Sequence, residues 1–362
     1  MIDFEPSEEQ QLIVDTVRQF AEKEIRPLAR ECDETGRIPD AVLAQAHELG
    51  LVANALPEAS GGGGERSAVT GALIAEELAW GDLAIALAIL SPSLVALPVA
   101  DQGSEAQRSE LLPLYCEGSF RPGALALLEP RFGADAFRPE LSARRDGDEY
   151  VLDGTKCLVP WLDGDDRVLV FADERGTPQG FLVPRDARGL VSERERNMGI
   201  QALPTAELRL DGVRVPAEAR LGGDAGCDLR AIVSRGRVAL AAAGVGVARA
   251  AFEVARDYAK EREAFGVKIA QKQAIAFMLA EMAIEIDGAR LLAWEAAWRL
   301  DQGDDALRES TLAFDQVRSV SLEVADRAVQ VLGGHGYIRE YLPEMHLRNA
   351  RGFATFEALA LI

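Results

Sequence analysis

The sequence predicts an α+β chain in three stretches: a helical N-terminal part (1–118), a middle antiparallel β-barrel or sandwich (119–227) and a C-terminal helical bundle (228–362). Three observations carry that prediction. Apolar residues recur at helical spacing before residue 118. Short β-type runs between Asp-Gly pairs fill the middle. Two long stripes with alternating steps of three and four residues occupy the last third. A chain of 362 residues exceeds what one hydrophobic core usually fills, which agrees with several packed units.

The elements follow in order. Ser7 and Gln10 form a capping box, just before QLIVDTVRQFAEKEIRPLARECD. Leu12, Val14, Val17, Phe20 and Ile25 give that helix an apolar side. A second helix is expected from Ala41 to Leu49, with Asp40 as its N-cap and Gly50 as a left-handed stop. Gly61 to Gly64 form a turn before a helix near 66–79. No Lys-Ser/Thr follows them and no strand precedes them, so they read as a surface loop rather than a phosphate loop. In the middle, turn signals at Asp146-Gly147, Asp153-Gly154 and Asp211-Gly212 separate the runs EYVL, RVLVFA, GFLVP, AELRL and VRVP. The last third carries Val238, Ala241, Val245, Ala248, Phe252, Ala255 and Ala259 on one stripe. Ile275, Leu279, Met282, Ile286, Ala289 and Ala293 lie on another. Such stripes mean interlocked helices, and the small residues of the first permit close contact.

Composition narrows the function classes. A net charge of −20 argues against nucleic acid or an anionic membrane as a bulk partner, while leaving room for a local basic pocket. No run approaches the uninterrupted apolar length of a membrane helix. MIDFEPSEEQ is acidic and lacks a basic region before an apolar stretch, so no secretory signal is expected. Cys32, Cys116, Cys157 and Cys227 lack CxxC spacing, and His47, His335 and His346 are dispersed. They read as reduced thiols and structural or surface histidines of a cytoplasmic protein, with no metal centre.

Several segments then point the same way: PEASGGGGERSAVTGALIAEELA (57–79), GDEYVLDGTK (147–156), NMGIQALPTAELRLDGVRVP (197–216), YAKEREAFG (258–266), QVLGGHGYIREY (330–341) and LRNARGFATFE (347–357). Together they resemble the acyl-CoA dehydrogenase family, nearly end to end. The resemblance implies a C-terminal four-helix bundle and an FAD that lies extended between two subunits. It implies an acyl-CoA substrate and an electron-transferring flavoprotein as electron acceptor. Carried over by position, Arg262 would pair with the pyrophosphate, with Phe265 and Gln273 beside it. An arginine suits this because its fixed fork matches phosphate oxygens. Gln330, Gly333 and Gly334 would let backbone approach the nucleotide closely. The family's usual catalytic base falls on Glu357, which would take the α-proton of the thioester while the β-hydrogen leaves as hydride. The other position used for a base in the family aligns with Gly236, and Arg237 beside it resembles an arginine near the catalytic loop.

The flavin-ring side departs from the family pattern. Where the family reads Thr-Glu-Pro and Gly-Ser-Asp, this chain has Leu128-Glu129-Pro130 and Gly133-Ala134-Asp135. Where it reads Trp-Ile-Thr, the chain has Leu158, Val159 and Pro160, which offer no hydroxyl, and proline no N–H. Trp161 stands three residues late to replace the lost aromatic. Ala358 and Leu359 replace a Gly-Thr pair, and Leu361 a polar residue. Each lost neutral hydrogen bond costs about 1 kcal/mol. The expectation is therefore a subunit of a heteromeric acyl-CoA dehydrogenase, an α2β2 assembly in which a homologous partner's β-domain seats the flavin. A bulky thioester, such as one of a fatty acid or sterol side chain, would suit such a pair. Three alternatives stay open: a homomeric enzyme using Glu357, a flavin-free structural or acyl-CoA-binding chain, and an oxygen-using relative.

Overall fold

The computed structural model describes residues 4–164, 166–353, 356–357 and 359–362, with Phe353 as backbone only. Among the described residues, eight α-helices precede the sheet: α1 (Glu8–Phe20), α2 (Ala29–Thr35), α3 (Asp40–Glu48), α4 (Ala68–Gly81), α5 (Leu83–Leu90), α6 (Ser93–Gln102), α7 (Glu105–Leu111) and α8 (Pro113–Cys116). Ser7 and Gln10 close the expected capping box on α1. Asp40 is the first residue of α3 and Pro39 sits at its N-cap, so the predicted cap is displaced by one. A proline supplies no side-chain oxygen, and none caps this helix. Gly50 is left-handed at φ 69°, as expected.

The sheet comprises β1 (Leu125–Ala126), β2 (Ser142–Asp146), β3 (Glu149–Pro160), β4 (Arg167–Glu174), β5 (Thr177–Pro184), β6 (Leu190–Arg194) and β7 (Thr205–Pro216). Its order is β1-β4-β2-β3-β7-β6, with β5 on β4. Four ladders are antiparallel. β1 and a single pair of β2 run parallel to β4, so the sheet is mixed rather than wholly antiparallel. Asp146-Gly147 is the turn it was expected to be, joining β2 to β3. Asp153-Gly154 and Asp211-Gly212 are not turns. They face each other inside the long β3/β7 ladder, where the register shifts between Leu152 and Gly154. Asp153 Oδ1 accepts from Gly212 N at 2.7 Å, so the two Asp-Gly pairs together build one bulge.

The bundle comprises α9 (Leu229–Glu261), α10 (Gln273–Asp301), α11 (Leu307–Leu332), α12 (Gly334–Tyr337) and α13 (Pro343–Phe353), with a hairpin of β8 (Glu263–Ala264) and β9 (Val267–Lys268) between α9 and α10. The predicted stripes face inward: Val238, Ala241, Val245, Ala248, Ala255 and Ala259 are buried, as are Met282, Ile286, Ala289 and Ala293. Close approach is literal at Gly246, where a Cβ would lie 2.3 Å from the Glu76 carbonyl oxygen of α4. α4 and α5 belong to the same core as the bundle. Two helical stretches, Leu83–Gln102 and Leu229–Glu261, are long and apolar enough to cross a membrane, contrary to the sequence reading. Their most apolar 18-residue segments are 94% and 78% buried, so their apolarity serves the core.

Candidate active site

Glu357 follows α13 in a segment tied down on both sides. Phe356, Leu359, Leu361 and Ile362 are buried, and Leu361 N donates to Ser93 Oγ at 3.3 Å. The Ile362 carbonyl accepts from Arg235 Nη1 at 3.1 Å and Arg66 Nη2 at 3.3 Å. Ala358 lies outside the described residues. Arg237, two residues past Arg235 on α9, donates from Nη2 to Glu357 Oε1 at 2.7 Å. Its Nη1 donates to Thr311 Oγ1 of α11 at 2.8 Å, and Thr311 Oγ1 donates to Leu307 O at 2.6 Å. The guanidinium carbon stands 5.1 Å from the centre of the Phe137 ring. Glu357 Oε2 and Arg237 Nε are buried without a hydrogen-bond partner among the described residues. A carboxylate with one oxygen tethered and the other bare can hold a proton at the bare oxygen.

The nucleotide-end residues gather elsewhere, where α9, the β8–β9 hairpin and the ends of α10 and α11 meet. Arg262 caps the C-terminus of α9, and Phe265 sits in the hairpin turn at φ 56°, its ring 95% exposed. Gln273 opens α10 and Gln330 lies in the last turn of α11; both are exposed. Gly333 takes φ 60°, ψ −131°, a conformation that favours glycine, and a Cβ on it or on Gly334 would meet open space. Tyr258 Oη and His335 Nδ1 share a hydrogen bond at 2.8 Å, which ties α12 to α9. The structure does not bring this cluster to Glu357. Arg237 and Arg262 lie 25 residues apart on and at the end of one continuous helix, a separation of about 37 Å along its axis. That distance exceeds the length of an extended dinucleotide.

The apolar residues that the resemblance places at the flavin ring lie in or beside the sheet. Leu128 and Leu158 are half-buried, and Val159 and Pro160 are buried. Leu158 takes φ 54°, unusual for a bulky residue, and its amide donates to both carboxylate oxygens of Glu195 at 3.1 Å. Trp161 packs with the sheet core beneath the Arg185 guanidinium, 3.7 Å from its ring centre, so it does not take the place of the missing aromatic. Burial pushes the Cys157 thiol up to about 11, which keeps it protonated and unreactive. Next to these residues in the chain stands a buried pair that sequence reasoning missed. Lys156 Nζ donates to Glu129 Oε1 and to Leu127 O, each at 2.9 Å. Burial lowers the Lys156 pKa, opposed by its bond to Glu129. Burial alone would raise Glu129, but the Leu141 amide and the Lys156 ammonium hold it below the ordinary carboxylate range.

Residues 7–119, 124–213 and 229–357 match the N-terminal, middle and C-terminal domains of acyl-CoA dehydrogenases. The chain belongs to the acyl-CoA dehydrogenase family. This acyl-CoA dehydrogenase is 36% identical to the probable acyl-CoA dehydrogenase YngJ of Bacillus subtilis, over 97% of this chain and 94% of that protein. Among solved structures, the butyryl-CoA dehydrogenase of Megasphaera elsdenii aligns with a TM-score of 0.89 and 31% identity, covering 97% of this chain and 95% of that one. A chain from the structure described as the electron transferring flavoprotein of Acidaminococcus fermentans aligns with a TM-score of 0.89 and 31% identity, over 98% and 95% of the two chains. Membership makes the chain an FAD-dependent oxidoreductase of acyl-CoA thioesters. Its residues fit FAD unevenly. The residues read as its nucleotide end are an exposed arginine, two exposed glutamines and open glycines. The residues read as its ring wall offer shape without side-chain hydroxyls.

Proposed function

We propose that this acyl-CoA dehydrogenase introduces an α,β double bond into a CoA thioester with Glu357 as the base. The α C–H bond breaks and its proton joins Glu357. The electron pair forms the Cα=Cβ bond, and the β-hydrogen departs as hydride, for which bound FAD is the acceptor. The carrying observation is the Glu357 carboxylate, tethered at Oε1 by Arg237 and bare at a buried Oε2. Glu357→Gln keeps the shape and removes the base. It should abolish turnover while flavin stays bound; unchanged turnover would remove Glu357 from the mechanism. The acceptor of the electrons is proposed to be an electron-transferring flavoprotein, in keeping with the family resemblance.

The second element of the reading is shared occupancy. The base and the nucleotide grip of one chain are too far apart to serve one FAD. Arg262, Phe265, Gln273, Gln330, Gly333 and Gly334 therefore hold a cofactor whose ring lies in another chain. The outward face of α10 supports a neighbour there: Phe277, Ile284 and Leu291, spaced at heptads, are 58%, 70% and 43% exposed. A second reading, favoured by the apolar ring wall at Leu128, Leu158 and Pro160, is a heteromeric enzyme in which a diverged homologous partner seats the flavin ring and supplies the base, and Glu357 of this chain goes unused. Flavin content tests this. The chain purified alone should carry little flavin and the complex with a homologous chain fewer flavins than chains. A lone chain that is fully flavinylated and active rejects the heteromeric form.

A further inference from the structure

Thr311 belongs to no motif, yet it determines how Arg237 grips the base. We propose that Thr311 is a positioning residue that keeps the Arg237–Glu357 pair single-pointed, so that Glu357 Oε2 remains available to take the substrate's α-proton. The inference rests on the reading of Glu357 as base and deepens it.

The hydrogen-bond directions along this chain are determined. Thr311 gives its one hydroxyl proton to Leu307 O, so it meets Arg237 only as an acceptor. Arg237 Nη1 is thereby committed to α11, and Nη2 alone reaches Glu357. The remaining atoms of the two groups complement each other: Arg237 Nε and Glu357 Oε2 are both buried and both lack a partner among the described residues. Turning the guanidinium so that Nε as well as Nη2 meets the carboxylate would pair them and complete a two-point fork, the geometry that arginine and carboxylate ordinarily prefer. Two orphaned atoms facing that option are costly unless something holds them apart. Thr311 is the tether on the opposite side, and the Phe137 ring flanks the guanidinium. A forked carboxylate would have no uncommitted oxygen, and its second charge-assisted bond would make it a weaker base.

The test replaces Thr311→Val, which keeps the shape and deletes the acceptor, with Thr311→Ser as the conservative control. Expected for Thr311→Val is a roughly three- to tenfold fall in kcat with KM little changed. The acid limb of the kcat/KM profile should move to lower pH, as for a weaker base, and flavin content should stay at the wild-type level. Thr311→Ser should restore both rate and profile. If Thr311→Val fails to fold, Thr311→Ala carries the same expectation. An unmoved acid limb, a limb displaced to higher pH, or equal losses in Thr311→Ser and Thr311→Val overturns the proposal. The underlying reading fails separately: turnover in Glu357→Gln removes the base itself, whereas a dead Glu357→Gln beside an unaffected Thr311→Val removes only the role of Thr311.

Discussion

Lys156→Met should destabilise the β-domain by about 3 kcal/mol, and the size of that loss follows from its surroundings. The Lys156 side chain is 0% exposed and its partner Glu129 7%. Removing one member of a buried pair costs about 3–5 kcal/mol, because the other charge is left without its counterpart. Glu129 retains three donors: the amides of Glu140 and Leu141 at 2.8 Å, and Arg131 Nε at 3.2 Å. They place the loss at the low end of that range. Glu129→Gln should cost about 2 kcal/mol, since its amide oxygen still accepts while the ammonium loses its charge partner. With both charges gone, Lys156→Met/Glu129→Gln should also cost about 2 kcal/mol, well below the ~5 kcal/mol of two independent losses. Urea unfolding followed by far-ultraviolet circular dichroism measures all three variants. A double variant as damaged as the summed singles refutes the pairing as the source of stability. The pH dependence has a definite sign. Glu129 is held below its unfolded value, so its contribution is present above that value, about 4.3, and is lost as pH falls through the lower folded one. The gap between wild type and Glu129→Gln should narrow in acid.

Asp82 tests the opposite sign. It is buried, caps α5 by accepting from Ile85 N at 2.9 Å, and burial pushes its carboxyl up to about 6. Its ionisation therefore weakens the fold as pH rises from the unfolded value of about 3.9 through that folded one, and Asp82→Asn, which still caps, should stabilise the protein above about pH 6. Thermal melts at pH 4 and pH 8 check this: the gain should appear only at pH 8. Ile284→Glu places a charge on the exposed apolar face of α10 and should shift the assembly to smaller species, with loss of bound flavin, in size-exclusion chromatography with light scattering.

The helical and β stretches were legible because their signals are local. Period and caps placed α1, and the inward stripes of α9 and α10 followed from spacing alone. What misled was context. Asp153-Gly154 and Asp211-Gly212 carry turn chemistry, but ladder partners on both sides hold them as a bulge, which no window on one strand reveals. The sequence reading found no apolar run of membrane length, yet 83–102 is long and apolar enough to be one; its burial in the fold, which no stretch of sequence shows, makes it core. At the proposed site, Glu357 and Arg237 were singled out by resemblance, but Thr311 could not be. Its role depends on α11 crossing α9 at that turn, and a threonine four residues after Leu307 reads only as a helix residue bonding back to its own carbonyl. Lys156 and Glu129 stood in quoted motifs, but their burial as a pair depends on the sheet closing over them.

The separation along α9 yields the prediction that distinguishes a chain paired with itself from one paired with a diverged partner. On the proposed homomeric reading, each FAD takes Glu357 from one chain and the Arg262 cluster from another, since Arg237 beside Glu357 and Arg262 are about 37 Å apart along any single copy of α9. Two variants would each be inactive alone: Glu357→Gln lacks the base, and Arg262→Glu repels the pyrophosphate. Co-expressed in equal amounts in a homomeric enzyme, they mix at random. About one site in four then combines an intact base with an intact grip, by the symmetry of a two-fold interface. Turnover should recover to about a quarter of the wild-type value on that arrangement. If the partner is a diverged homologue, this chain never faces another copy of itself across a cofactor, and the mixture shows no more than the average activity of its two parts. Full activity of Arg262→Glu on its own would refute the division of labour between the two ends of α9, whichever partner is present.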